Sequence, residues 1–256
     1  MQGTADGFDY GALTPLAAFL MACLGAALGL RCVVRTVHLE KGRKAAWLAL
    51  GAASLGCGIW SMHFIAMMGF RAPDASITYD APLTLLSLLV AIVVVSVGMF
   101  IVGYRGVAPM TLATAGIITG LGVAVMHYLG MAAMRLNGDI AYDNLTVTLS
   151  VLIAVAAATA ALWAAVSIRG FLPALGASLV MGVAVTGMHY TGMAAVTVHV
   201  HSAAHAYGGE SAASLVLPML LGPAVFLLLA AVVVMFDPLL VAGDEREGSR
   251  RARAAF

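Results

Sequence analysis

The chain is 256 residues long, 62% hydrophobic and only 10% charged, with a net charge of +1 and a mean hydropathy of +1.01. About a quarter of the residues of a soluble globular domain are charged, so this composition excludes one and defines a polytopic membrane protein. With a charge this close to zero, nucleic-acid binding has no support beyond a short basic C-terminal tail.

Apolar runs of about 20 residues, the length that crosses about 30 Å of hydrocarbon, fall at 12–34, 45–69, 82–104, 109–134, 146–168, 172–198 and 215–240. The expected fold is all-α, a seven-helix membrane bundle over residues 12–240. Residues 1–11 form an extracytoplasmic N-terminus and residues 241–256 a cytoplasmic basic tail. The first run follows Asp6 and Asp9 with no Lys or Arg before it and is longer than a signal-peptide core, so it is expected to be a retained helix.

Loop charges set the orientation. Arg31, Arg35, Lys41, Arg43 and Lys44 lie at the end of the first run or between the first two, Arg105 and Arg169 fall on the same side, and Arg246, Arg250, Arg251 and Arg253 close the chain. Only Arg71 and Arg135 fall on the other side. By the positive-inside rule the N-terminus is outside and the C-terminus in the cytoplasm of a plasma membrane. The three cysteines, Cys23, Cys32 and Cys57, are an odd set within or at the ends of the first two runs, which argues against a disulfide framework.

The second run ends in "GIWSMHFIAMMGF", and its pattern returns as "AVMHYLGMAAM" and "AVTGMHYTGMAAV". His63, His127 and His189 recur at nearly constant spacing, which marks an internal repeat. "ITYDAPLTLLSLL" and "IAYDNLTVTLSVL" follow the first two motifs, placing Tyr79-Asp80 and Tyr142-Asp143 in matching positions. The third unit replaces this with "HVHSAAHAYGGESAASL". The repeat reads as one leading helix followed by three pairs, 2 with 3, 4 with 5 and 6 with 7. Gly116 and Gly120, with Gly51, Gly56, Gly182 and Gly187, are expected to let the motif helices approach one another.

Each motif has the form M-H-[FY]-x-[AG]-M. His63 and Met67, His127 and Met131, and His189 and Met193 are each four residues apart and share a helix face. Met62, Met126 and Met188 point elsewhere. Strongly polar side chains inside a membrane are costly and face the bundle interior, where they find partners. Three neutral imidazoles with thioethers, and no carboxylate within the hydrocarbon, form a soft, uncharged ligand set that favours copper, chiefly Cu(I), over magnesium, calcium or manganese. Zinc could use the histidines but gains little from Met, and residue types alone leave bis-histidine haem ligation open. Since the ligand is the neutral imidazole, affinity should weaken below a pH of about 6.5. Interhelical hydrogen bonding and core packing are the alternative for each single motif, and repetition weighs against it.

Other residues could extend the site. His199, His201 and His205, at or beyond the outer end of the sixth run, are candidate auxiliary ligands, with solvent-exposed loop histidines the plainer reading. Asp80 and Asp143 could orient an imidazole, although helix N-caps account for them more simply. Trp60, one turn before His63, could wall the site or merely pack.

These residues resemble the MHYT domain, a bacterial seven-helix integral membrane sensor module named for its Met-His-Tyr-Thr motif. "MHYT" stands at 188–191, "MHYL" at 126–129 and the variant "MHFI" at 62–65, and the resemblance covers about residues 10–240. It implies one or two copper ions held near the outer face by Met62, His63, Met67, Met126, His127, Met131, Met188, His189 and Met193. It also implies a response to a diatomic gas such as oxygen, carbon monoxide or nitric oxide, and a cytoplasmic signalling output. Phe64 replaces the motif tyrosine in the first copy. This chain stops about sixteen residues after the seventh run, so the output is expected from a separate signalling partner or from a domain missing here.

Two other classes compete. Copper acquisition, transport or delivery would require ligands along the inner half of the bundle, where Cys57 is the one candidate. An enzyme would require a catalytic constellation, and no nucleophile-base pair, intramembrane carboxylate pair or phosphate loop stands out. A retinal Schiff base is excluded because Lys41 and Lys44, the only lysines, fall in a loop.

Overall fold

The computed structural model describes residues 11, 13–36, 39, 41–70, 77–200 and 212–236. The N-terminal segment and the basic tail expected from the sequence lie outside them.

The seven apolar runs form seven helices, α1 (Leu13–Arg35), α2 (Lys41–Met68), α3 (Ala81–Arg105), α4 (Pro109–Ala133), α5 (Asn144–Ser167), α6 (Phe171–Ala194) and α7 (Ala212–Met235). All seven are long and apolar enough to cross a membrane. Their ends follow local chemistry. Asp80 and Asp143 cap α3 and α5, their carboxylates accepting the backbone N–H of Leu83 (3.0 Å) and Thr146 (2.8 Å). Pro109 opens α4, where its missing N–H costs nothing. Gly106 and Gly170, at matching places of the two repeats, take φ of 75° and 85° in the short turns after α3 and α5.

Six helices close a ring in the order α1 to α6, with α1 packed against both α2 and α6, and α7 lies outside it against α2 and α1. The sequence repeat pairs α6 with α7, yet in space the gap between α6 and α2 is filled by α1. α7, carrying Pro218 and Pro223, is left as an outer buttress.

The two ends of the bundle differ. At one end, termed the basic end, Arg31 lies over Phe171 (5.2 Å), Arg35 over Trp47 (5.7 Å) and Lys44 over Tyr104 (5.1 Å). Lys41 and Lys44 are not in a loop as expected. They form the polar first turn of α2, which starts four residues before its apolar run. The other end, termed the motif end, carries two small antiparallel sheets. β1 (Thr78–Tyr79) pairs with β2 (Met134–Arg135), and β3 (Gly138–Tyr142) with β4 (Val196–Val200). The expectation that α6 reaches residue 198 is therefore corrected. The helix stops at Ala194 because the alternating β-branched stretch "VTVHV" pairs with "GDIAY".

The expected role of the glycines is also corrected. A Cβ on Gly116 or Gly120 would collide with Thr159 or Val155 of α5, one on Gly56 with Ile92 of α3, and one on Gly182 with Cys23 of α1. A Cβ on Gly51 would meet Cys32 and Gly29 of α1, and one on Gly187 meets nothing within 4 Å. All of these glycines except Gly187 seat the motif helices against their odd-numbered neighbours, not against one another.

Candidate metal centre

The motif helices α2, α4 and α6 alternate with odd-numbered helices around the ring, so one face of each looks toward the axis. His63, His127 and His189 project there and meet, each about 1% exposed. Their metal-binding nitrogens all fall within 4.8 Å of one another, and they form the one cluster of three or more His, Cys, Asp or Glu ligands found among the described residues.

The contact is made by the Nδ1 atoms. His63 Nδ1 lies 3.1 Å from His189 Nδ1 and 3.2 Å from His127 Nδ1. The rings stand nearly perpendicular in pairs, at 82° to 85°, with centroids 4.9, 5.0 and 5.2 Å apart, like blades of a propeller. Every Nε2 atom points away from the centre, is buried, and has no hydrogen-bond partner.

Two glycines create the space for these rings. A Cβ on Gly130 would collide with His63 Nε2, and a Cβ on Gly192 would lie about 2.5 Å from His127 Nε2. His63 and His127 thus each lie against the backbone of the following motif. At the equivalent place in the first motif stands Ala66, fully buried. The [AG] position of the motif is therefore where the motif helices approach, a role that sequence reasoning assigned to other glycines.

All six motif methionines are at most 2% exposed. Met67, Met131 and Met193 join Met126 and Met188 in the main core, whereas Met62 packs in a separate cluster with Ala18, Ala22 and Ala66. The aromatic residue after each histidine stacks edge-on to it, as Phe64, Tyr128 and Tyr190. Phe64 then packs on Tyr79 and Tyr128 on Tyr142, both at 5.9 Å. This repeated contact explains why a tyrosine precedes each capping aspartate.

The remaining candidates fall away from the imidazoles. Asp80 and Asp143 are surface N-caps. Asp80 is held below the ordinary carboxylate range by the Leu83 amide and by Arg135, 3.4 Å away. Asp143 is held below it by the hydroxyl and amide of Thr146. Neither hydrogen-bonds an imidazole. Trp60 is fully buried, but its indole N–H donates to Ser87 Oγ (2.9 Å) and its ring packs on Phe64 (4.7 Å). His199 is exposed on β4, opposite Asp139. His201 and His205 lie outside the described residues. Cys57 is buried among Leu28, Cys32 and Leu227, on the side of α1 and α7.

A ring of membrane helices carrying buried imidazoles from repeated motifs on its axis defines a multi-pass membrane protein of repeat-built, seven-helix type. Residues 56–115 and 120–178 match the model of the MHYT family, described as a bacterial signalling protein N-terminal repeat. The chain belongs to that family. It is 44% identical over 165 residues to MucR of Pseudomonas aeruginosa, a bifunctional diguanylate cyclase/cyclic di-GMP phosphodiesterase, covering 62% of this chain and 24% of MucR. It is 42% identical over 191 residues to the cyclic di-GMP phosphodiesterase NbdA of the same organism, covering 72% of this chain and 24% of NbdA. The signalling protein YkoW of Bacillus subtilis is 30% identical over 188 residues, which cover 70% of this chain and 23% of YkoW. The chain thus spans about a quarter of the length of the curated relatives it matches. No solved structure matches it.

Proposed function

We propose that this chain is a sensor module of the bacterial plasma membrane that holds copper between His63, His127 and His189 and responds to a diatomic gas or to redox state. The observation that carries the reading is the convergence of three buried Nδ1 atoms, two pairs of them 3.1 and 3.2 Å apart. Such separations are of the order expected when nitrogens share one ion at about 2.0 Å from each.

Without a cation the triad is poorly satisfied. A neutral imidazole has one N–H and one lone pair. If His127 and His189 both donate from Nδ1, they compete for one lone pair on His63, and their own Nε2 lone pairs are buried without a donor. If the protons sit on Nε2, three Nδ1 lone pairs face one another. A cation at the centre turns that repulsion into ligation. Met67, Met131 and Met193, one turn beyond each histidine, supply thioethers that favour Cu(I) over zinc. Haem fits poorly, because imidazoles in mutual contact leave no space for a macrocycle between them. When bound, copper would supply a soft Lewis-acidic centre able to take a small gas as a further ligand. The chain's part is to hold three neutral imidazoles in a fixed propeller and to exclude water from them.

The positive-inside rule places the basic end in the cytoplasm and the motif end outside. Copper transport is the weaker reading, since Cys57 is turned away from the axis and apolar layers lie beneath the histidines. The output would come from a cytoplasmic partner or domain of the kind named in MucR and NbdA.

The test is metal analysis of detergent-purified protein after growth with copper, zinc and iron, beside the His63→Ala, His127→Ala, His189→Ala triple variant. One or two coppers per chain, lost in a folded variant, is the expected result. No copper in either protein overturns the reading, and zinc or haem in the wild type redirects it.

A further inference from the structure

Counting back along the motif helices from the histidines reveals successive layers. Four residues before His63, His127 and His189 stand Ile59, Val123 and Val185, and eight residues before them stand Leu55, Thr119 and Met181. On a helix these positions stay on one face, at steps of about 6 Å. All six line a single cavity of about 40 Å³, measured as space open to the centre of a water-sized molecule. The cavity therefore lies along the axis of the ring, beneath the imidazoles on the side of the basic end. α5 widens it by presenting alanines where bulkier residues would close it, among them Ala158 and Ala161.

Its chemistry selects its contents. About 10–15 Å³ measured in this way suffices for one water, but a buried water needs two to four polar partners. The lining offers one hydroxyl, that of Thr119, which already donates weakly to the Val94 carbonyl (3.5 Å). The remaining wall is aliphatic carbon and the thioethers of Met99, Met181 and Met188. An apolar space of this kind within the bundle stays dry and gains dispersion energy from a small polarizable guest.

We propose that this axial cavity is a binding site for a small, uncharged, apolar molecule of the size of dioxygen or xenon. Met188 is the one motif residue in its wall, so a guest there touches the residue that immediately precedes His189. The site rests on the cavity alone and does not require that the histidines hold a metal.

The experiment uses xenon as the probe, by diffraction from xenon-pressurised crystals of the full chain and by 129Xe exchange in detergent. Wild type, Ala158→Leu and Ala161→Leu are compared, with metal content read on the same preparations. Xenon is expected in the wild type near Ile59, Val185 and Met188, with or without bound metal, and at least tenfold weaker in both variants. An absence of xenon in the wild type, ordered water in the cavity, or unchanged binding in both variants overturns the proposal. If neither variant folds, the wild-type result decides. Metal without xenon removes this inference and leaves the copper reading, and xenon without metal does the reverse.

Discussion

His63 and Gly130 meet across the interface of α2 and α4, the imidazole Nε2 occupying the space that a side chain at 130 would need. Gly192 stands in the same relation to His127. Adding one methyl group at either place displaces a ring that is packed on every side. Gly130→Ala and Gly192→Ala should each cost about 1–3 kcal/mol by overpacking and lower metal content severalfold. Gly187→Ala, whose Cβ meets nothing within 4 Å, should change neither. Thermal unfolding and metal stoichiometry on the three variants check this.

The triad is not symmetric, because His63 Nδ1 is within hydrogen-bonding distance of both partners. His63→Ala should reduce bound metal below a tenth of the wild-type level. Single variants at His127 or His189, which keep one short Nδ1 pair, should retain a weaker site. Copper titration followed by absorption spectroscopy distinguishes the three.

Trp60 tests the limits of the site. Its indole N–H bonds to Ser87 and its ring touches Phe64, which in turn packs on His63. Trp60→Phe should remove an indole N–H that is shared between Ser87 Oγ and the Thr84 carbonyl (3.3 Å), about 1 kcal/mol of stability, and leave copper stoichiometry unchanged. A loss of metal in a folded Trp60→Phe protein would place the indole in the site after all.

Acid should loosen the motif end first. The Asp80 and Asp143 carboxyls are depressed in the folded protein by their N-cap and neighbouring hydrogen bonds. The stability they contribute is present above the ordinary aspartate pKa of about 3.9 and is lost as pH falls through the lower folded values. In a double Asp80→Asn, Asp143→Asn variant the caps persist without a titrating group. The fall in melting temperature between neutral pH and pH 3 should therefore be shallower than in the wild type.

Helix number, the motif register and the alignment of three histidines were legible because hydropathy and four-residue spacing survive any packing arrangement. The two sheets were not, since "VTVHV" is apolar enough to continue α6, and only its alternation of β-branched residues betrays a strand. Ring closure by α1 was hidden for a different reason. A repeat in sequence records which helices were duplicated together, while Gly25 and Gly58, whose Cβ atoms would strike each other's backbones, record that α1 and α2 touch. The motif glycines Gly130 and Gly192 were visible in the second and third copies, but their purpose required knowing which imidazole faced them.

The strands at the motif end tie neighbouring repeats in a way that sets which joint can give. The Asp80 amide donates to the Ala133 carbonyl (2.8 Å) and the Asp143 amide to the Ala195 carbonyl (2.9 Å), so the end of α4 is clasped to the start of α3 and the end of α6 to the start of α5. Among the described residues these clasps bridge the first repeat to the second and the second to the third, and no equivalent returns from the third to the first. The motif end is thus a belt buckled twice around three helices. Its unbuckled side lies between α6 and α2, where His189 and His63 make the shortest of the imidazole contacts given above, so any widening of the triad would be borne at that joint, and the two buckled joints would turn with it as rigid links.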